Sequence, residues 1–376
     1  MAINLRSPYR LSTNVAATSY GTLAISIWEG SSASPVTAQY NLRKDLVGAY
    51  LTFEISELVR DYLEIAFNGD YNGQAVWVRT VHNVFNVSDV NIYTNTTTQI
   101  ALDSYSYFEE PSFSIDSSSL LISNRDVFVL ADNIFRIPVY TADNPTIIFI
   151  KDNEVVYSQA LVSTVQSATQ IEYISILGDS SNWDNYKERV LADGGVYENS
   201  SCLKAVFDGF EIGAVDTIHI SNSSGLEIIK IKTVEECKYE PKKVTFVNKF
   251  GALQDMYFFK KSAEDLRVKR KSYQSNILTN GGGYSTSSHV NRDYNVSGSE
   301  SITMNSGYLN ESYNEVFKQL LLSEQVWMTE VTDTGELVTP VNISTSGITY
   351  KTSVNDKLVD YKISFDKSFE TINNIR

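Results

Sequence analysis

Short runs in which hydrophobic and polar residues alternate fill the first hundred residues of the chain. In "TLAISIWEG" every second position is apolar (Leu23, Ile25 and Ile27), and "YLTFEIS" and "QAVWVRTV" follow the same period. Alternation over so few residues, interrupted by polar stretches such as "GSSASP" and "NGDYNG", is typical of half-buried antiparallel strands. The pattern predicts an N-terminal β-sandwich over residues 1–112.

One segment of this region has the periodicity of a helix. In "SELVRDYLEIAF", Leu58, Tyr62 and Ile65 fall on one helical face, and Ser56 stands where an N-cap residue is expected. We therefore predict a short helix, capped by Ser56, that covers one end of the sandwich.

A second series of β-type runs follows the polar stretch "EEPSFSIDSSS" and includes "DVFVLADNIFRIPVYT", "QIEYISIL" and "LEIIKIKTV". In "IIFIKDNEVVYSQ", two apolar runs flank Asp152 and Asn153, which predicts a β-hairpin with a tight turn. We expect a second β-sandwich over residues 113–274.

The last hundred residues divide into a polar part and a patterned part. Apolar residues are sparse over 275–307, and "NGGGYSTSSHVNRD" is rich in Gly and Ser, so we predict a flexible polar loop there. Over 308–376 an amphipathic helix is followed by antiparallel strands, with "LVDYKISFD" as the closing alternating run. The apolar stripe of this helix consists of Leu309, Tyr313, Val316, Phe317, Leu320 and Leu321.

Composition agrees with this pattern. A chain of 376 residues is long enough for about two or three domains with cores of their own. The 23 Tyr and only 7 Pro accompany many Ser, Thr and Asn residues, a composition typical of β-rich proteins with polar surfaces. The predicted fold class is mainly β, with two or more β-sandwich domains followed by a C-terminal α+β segment.

Positive charge is concentrated in one stretch of an otherwise acidic chain. The formal net charge is −14, yet residues 242–273 contain nine Lys or Arg against three acids. Alternation places Phe246 and Phe259 in a core and leaves the basic side chains, Lys249 included, facing outward. The candidate interface residues are Lys260, Lys261, Arg267, Lys269, Arg270 and Lys271.

Three uses of this basic stretch stay open: docking on an acidic neighbour, a solvated face, and nucleic-acid binding. The overall charge opposes the approach of nucleic acid, which disfavours the last use. A second copy of the same chain offers an acidic surface, because head-to-tail contacts join different patches of one subunit. We favour the docking face.

The strongest hint of catalysis is "SILGDSSNW" followed by "DTIH", which resembles the motifs of GDS-type esterases. Ser180 would be the nucleophile, His219 the base and Asp216 its orienting partner. Ser180 and His219 are only 39 positions apart within β-type sequence, whereas that family places its motifs near opposite ends of an α/β domain. Carboxylate pairs such as Glu109 with Glu110 are expected by chance among 45 acids. We expect no enzyme.

No cofactor or metal is expected either. Cys202 and Cys237 lack His or Asp at ligand spacing, and the three His residues lie far apart in sequence. The run "NGGGY" is not followed by the Lys-Ser/Thr of a phosphate-binding loop. The first 15 residues contain no apolar run of signal-peptide length, and no window approaches the roughly 20 apolar residues of a membrane span. We therefore expect no membrane partner.

The order of elements from Val244 onward resembles that of structural proteins of tailed-bacteriophage virions. The resemblance rests on the strand pair "FVNKFGALQDMYFFKKS", on "ESITM", on a helix ending in "LLLSEQVWM", and on "TPVNI" with the closing "DKLVDYKISFD". The N-terminal "RSPYRLS", "IWEG" and "FEISELVRDYLE" extend it over nearly the whole chain. These are strand and helix signatures, so the resemblance carries over no functional residue.

The resemblance implies a structural component of the virion tail, tail tip, baseplate or connector, assembled in the host cytoplasm. Its expected partners are copies of itself in a ring and other virion proteins. A receptor- or carbohydrate-binding tail protein is the rival class, because 23 Tyr provide aromatic faces for a host surface glycan. A tail-associated hydrolase is the third class.

Overall fold

A computed structural model of the chain confirms the predicted mainly β fold. Strands predominate among the described residues, and the two helices found there are short. The structure describes residues 2–14, 18–29, 37–46, 50–71, 75–115, 118–130, 134–141, 146–160, 170–177, 202–204, 217–222, 225–234, 236, 238–332, 335–350 and 358–372.

The chain forms two compact units that alternate along the sequence. Unit 1 consists of Met1–Glu235, Thr245–Met256 and Ser312–Glu324, and unit 2 consists of Glu236–Val244, Tyr257–Glu311 and Gln325–Arg376. The finer division that the sequence predicts, at residues 112, 274 and 307, stays a prediction.

The N-terminal part of unit 1 contains a five-stranded sheet in the order β1-β7-β6-β3-β4 and a two-stranded ribbon of β2 and β5. The alternating apolar residues Leu23, Ile25 and Ile27 are buried in one core with Leu51 and Phe53, as their spacing predicts. The elements are β1 (Ile3–Asn4), β2 (Arg10–Thr13), β3 (Thr18–Trp28), β4 (Tyr40–Asp45), β5 (Leu51–Glu54), α1 (Ser56–Arg60), β6 (Val76–Asn86) and β7 (Asn91–Leu102).

Helix α1 is shorter than the sequence predicts, and its cap is different. Ser56 is the first helical residue, its hydroxyl donates a hydrogen bond to Glu54, and the capping position falls on Ile55 without a side-chain bond. The chain leaves the helix in a turn at Asp61 and Tyr62, so Tyr62 is exposed and does not join the predicted apolar face. Ser56 is therefore wrong as the N-cap.

Two further sheets of unit 1 share a second core, in a sandwich-like arrangement. Their orders are β14-β13-β10-β8 and β12-β11-β15-β16-β9, and buried residues of both, such as Ile137 and Phe149, form one cluster. The strands are β8 (Ser118–Leu120), β9 (Asp126–Leu130), β10 (Ile134–Thr141), β11 (Thr146–Lys151), β12 (Glu154–Ala160), β13 (Gln170–Leu177), β14 (Cys202–Lys204), β15 (Thr217–Asn222) and β16 (Gly225–Val234).

The predicted hairpin within the second core is confirmed. β11 and β12 pair in antiparallel fashion, and the two residues that join them, Asp152 and Asn153, have φ angles of 51° and 66°. Two successive positive φ angles are the geometry of a type I′ turn, which matches the twist of antiparallel strands and favours Asn and Asp.

A seven-stranded sheet in the order β18-β17-β22-β23-β25-β20-β19 holds most strands of unit 2, and β17 and β18 each contain residues of both units. Phe258 and Phe365 meet edge to face within unit 2, with ring centroids 5.8 Å apart. The elements are β17 (Lys242–Val247), β18 (Leu253–Phe258), β19 (Ala263–Gln274), β20 (Asn291–Asn305), β21 (Leu309–Asn310), α2 (Tyr313–Leu322), β22 (Val326–Thr332), β23 (Gly335–Ile343), β24 (Leu358–Val359) and β25 (Lys362–Lys367).

The C-terminal helix is confirmed as α2, which belongs to unit 1. Its buried face contains Tyr313, Val316, Phe317 and Leu320, whereas Leu309 of the predicted stripe lies on β21. The closing alternation is confirmed too, because Val359, Tyr361, Ile363 and Phe365 are all buried.

The loop predicted over 275–307 is wrong for Asn291–Asn305, which form β20, the longest strand described. The outer part of this strand is exposed and carries mostly polar residues, so the apolar alternation that marks a half-buried strand is missing. Residues 275–290 form the connection between β19 and β20 and contain no strand.

Candidate functional site

The candidate site is a two-stranded arm that extends β19 and β20 beyond the sheet of unit 2. β25 pairs with β20 only from Ser301 to Asn305, whereas β19 continues along β20. We define the arm as residues 266–300. It contains nine residue pairs, from Leu266–Glu300 to Gln274–Asn291, which corresponds to a length of about 30 Å.

Local sequence explains how the arm turns and twists. At its tip Gly282 has a φ of +77°, and the N–H of Thr279 donates to Gly283 O over 2.9 Å. β20 has one extra residue, Tyr294, because Lys271 pairs with Asn295 and Ser272 pairs with Asp293. Such a bulge increases the local twist of a ribbon.

The two faces of the arm differ in chemistry. Arg267, Lys269 and Lys271 alternate along β19, so their side chains share one face. Their cross-strand neighbours on that face, Ser299, Ser297 and Asn295, are small and uncharged. This surface, which we call the basic face, therefore contains no acidic group from the arm itself.

The opposite face of the arm begins with exposed apolar side chains. Leu266 and Val268 are 60 % and 46 % exposed, and they share this face with Val296 across the ribbon. Arg270 lies there too and donates to Asp293 over 3.0 Å. The large apolar and aromatic side chains exposed anywhere on the arm are Leu266, Val268, Tyr273, Leu278, Tyr284, Val290 and Tyr294.

The structure brings some of the six predicted interface residues together and separates others. Arg267, Lys269 and Lys271 form the basic face, and Arg270 is on the other side of the same strand. Lys260 and Lys261 precede β19. Lys260 bonds to Glu236 over 2.6 Å and thereby lowers the pKa of that carboxyl, so its charge is already compensated.

Residues at the base of the arm hold it to the sheet. Glu300 accepts a bond from Lys367 over 2.5 Å, and this hydrogen bond lowers the pKa of the Glu300 carboxyl. The N–H of Thr371 donates to Gly298 O over 2.8 Å. Among the described residues, β20 from Asn291 to Ser297 has only β19 as a strand partner.

The arm is basic although the protein is acidic. Residues 266–300 contain five basic and two acidic residues, a net charge of +3, so the remainder of the −14 chain carries −17. None of Arg267, Lys269 and Lys271 forms an ion pair with a described residue. Their charge is thus available to an acidic surface.

Lys249, predicted to face outward, is instead buried in unit 1. Its Nζ atom lies 2.6 Å from Glu110 Oε2 and 4.3 Å from the ring centroids of both Tyr107 and Phe113. The ion pair lowers the pKa of Glu110, so this member of the Glu109–Glu110 pair stays ionised and is unsuited to act as a general acid. Phe246 and Phe259 of the stretch are buried as predicted.

Among the described residues, neither the esterase motif nor a metal site is brought together. Ser180, Asp216 and Cys237 lie outside the described residues, and His219 is on β15. Within the described ranges, no group of three or more His, Cys, Asp or Glu side chains is placed to hold a metal ion. The helices described here include none that is long and apolar enough to cross a membrane.

The sequence matches no protein-family model and no curated protein. The fold and the arm therefore define the protein only as a mainly β protein with a basic two-stranded arm.

Proposed function

We propose that this protein is a non-enzymatic structural subunit of a tailed-bacteriophage virion, in the tail, tail tip, baseplate or connector. In this proposal copies of the chain assemble through protein–protein contacts that include the arm, in the host cytoplasm and then in the particle. The arm is the observation that carries the proposal. The order of strands and helix after Val244, on which the resemblance to virion proteins rests, supports the particular kind of assembly.

The arm is unusual for a protein that acts alone. Two-stranded ribbons are marginally stable in water, and a third strand or an apolar contact usually stabilises them. Here nine residue pairs extend past the sheet, and seven large apolar or aromatic side chains of the arm are exposed. A neighbouring subunit would supply the missing contact.

Charge favours a protein partner over nucleic acid. The +3 arm would approach phosphates together with the −17 remainder of the chain, which repels them. The same −17 attracts the arm of another copy. Contacts between different patches of identical subunits are heterologous, and they close into a ring when the rotation between subunits allows it.

The proposal is tested by comparing the intact chain with an arm-shortened variant. In this variant Asn-Gly replaces residues 267–299, so that Leu266 and Glu300 flank a two-residue turn. Sedimentation velocity over a range of concentrations should show oligomers for the intact chain and monomers for the variant, with similar circular dichroism for both. Oligomers of undiminished stability in the variant would contradict the proposal.

A glycan array separates the rival function from this one. Tyr273 and Tyr294 meet near the bulge with ring centroids 6.1 Å apart, and Tyr284 is exposed at the tip. Aromatic faces of this kind suit sugar rings. Reproducible binding of host polysaccharide by a monomeric chain, abolished by Tyr273→Ala with Tyr294→Ala, would favour a receptor-binding tail protein.

A further inference from the structure

A second charged surface lies in unit 1, at and just after helix α1. Residues 54–70 contain five acids, and three of them, Glu57, Asp61 and Glu64, follow one another at spacings of four and three residues. All three side chains are exposed. We call these three residues the acidic face.

The one basic residue in this segment does not neutralise the acidic face. Arg60 Nε lies 3.2 Å from Asp103 Oδ1, and its Nη2 atom contacts Glu324. Glu57, Asp61 and Glu64 form no ion pair with a described residue. Within the part of the chain that the structure describes, these three carboxylates therefore have no cation as partner, and the three cations of the basic face have no anion.

The first two acids of the acidic face, Glu57 and Asp61, also match the spacing of the basic face. Alternate residues of a strand are about 6.6 Å apart, which sets the distance between neighbouring charges of Arg267, Lys269 and Lys271. The N–H of Asp61 donates to Glu57 O over 3.3 Å, so a helical turn separates these two acids. A turn of this kind corresponds to a rise of about 6 Å.

We propose that the basic face of the arm docks on the acidic face of a second copy of the chain. This inference rests on the proposed function and names the contact by which the subunits meet. Arg267, Lys269 and Lys271 of one copy lie against Glu57, Asp61 and Glu64 of the next, a heterologous head-to-tail contact. Each subunit has one face of each kind, so the contact repeats from copy to copy.

Charge exchange between the faces tests the contact. The first variant carries Arg267→Glu, Lys269→Glu and Lys271→Glu, and the second carries Glu57→Lys, Asp61→Lys and Glu64→Lys. Each variant alone should associate at least about tenfold more weakly than the intact chain, because like charges then face one another. An equimolar mixture should recover the affinity of the intact chain, since every arm then meets a face of opposite charge.

The matched control changes the same amount of charge elsewhere. Lys230, Lys238 and Lys362 are exposed and lie outside both faces, so their change to Glu should leave association close to that of the intact chain. Circular dichroism verifies folding of every variant. If a triple variant fails to fold, Lys269→Glu and Asp61→Lys alone provide the same exchange in smaller steps.

The outcomes distinguish this inference from the proposed function. If arm reversal abolishes association but reversal of the acidic face does not, the arm binds another surface, and the inference alone is wrong. If the mixture fails to recover association although both variants fold, the inference is again wrong. An intact chain that stays monomeric at all concentrations and at low salt would overturn both.

Discussion

Two lysines of the basic stretch should respond in opposite ways to the same substitution. Lys269 is exposed on the arm, whereas Lys249 lies buried between Tyr107 and Phe113. Reversal of Lys269 should affect association and spare folding. Reversal of Lys249 should affect folding, because the new carboxylate would lie beside the carboxylate of Glu110, to which Lys249 is bonded.

The expected magnitudes follow from the contacts of each side chain. Lys249→Met keeps the buried stem but removes two cation–π contacts of about 0.5–1 kcal/mol each. It also removes an ion pair worth about 1 kcal/mol or less, because Glu110 is 56 % exposed. The unfolding free energy should therefore fall by about 2 kcal/mol in Lys249→Met. It should fall by about 3–5 kcal/mol in Lys249→Glu, because the new carboxylate is buried without a cation as partner. Lys269→Glu should change stability by less than about 0.5 kcal/mol.

Urea unfolding followed by circular dichroism measures these differences. With a slope of about 2 kcal/mol per molar urea, Lys249→Glu should lower the midpoint by more than about 1 M, and Lys269→Glu should leave it unchanged. Both substitutions replace a positive charge with a negative one, so each variant is the other's control. Equal midpoints for the two variants would refute the assignment of Lys249 to the core of unit 1.

Three further outcomes are expected. Burial lowers the pKa of His82, so this side chain binds a proton more tightly in the unfolded protein than in the folded one. The unfolding free energy should therefore fall as the pH drops below about 6.5. Urea unfolding at two pH values should show a weaker pH dependence for His82→Phe. Gly251 has a φ of +77°, and an added Cβ would lie 3.0 Å from the backbone of Asp103. Gly251→Ala should therefore lower the unfolding free energy by about 2–3 kcal/mol, which urea unfolding measures. Gly281→Ala, whose Cβ would meet nothing within 4 Å, is the matched control. Limited proteolysis should cleave the tip, residues 275–290, in the monomer and spare it after assembly; cleavage at equal rates in both states would mean that the tip stays uncovered.

Buried structure was the part of the fold that the sequence could predict. The alternations at Leu23–Ile27 and Val359–Phe365 mark strands because one face of each is packed against a core. The hairpin at Asp152 and Asn153 was predictable for a different reason, namely that its turn requires positive φ angles.

The arm was harder to predict because burial leaves no pattern in it. β20 pairs along its outer part with a single exposed strand, so its residues need no apolar alternation. One local signal was available: in "LRVKRK", apolar and basic residues alternate at Leu266, Arg267, Val268 and Lys269, which indicates a strand with two different faces. The fate of Lys249 depended on Glu110 and Tyr107, which no local pattern connects to it.

The candidate site was predicted as a region but not as a surface. The excess of basic residues identified the stretch, and strand pairing then selected Arg267, Lys269 and Lys271 as one face and assigned Lys260 to an ion pair within the subunit. The acidic face around Asp61 was not predicted, since acids are common throughout the chain. The ion pairs of Arg60 with Asp103 and Glu324 leave the acidic face without a cation among the described residues, and these pairs are visible only in the structure.

Electron cryomicroscopy of the nuclease-treated 376-residue chain at high concentration would show directly whether the arm joins the subunits. We expect a closed assembly of identical subunits in which the arm of each copy, residues 266–300, lies against the next copy and its basic face is covered. Single subunits at every concentration, or an assembly whose arms all project into solvent, would contradict it.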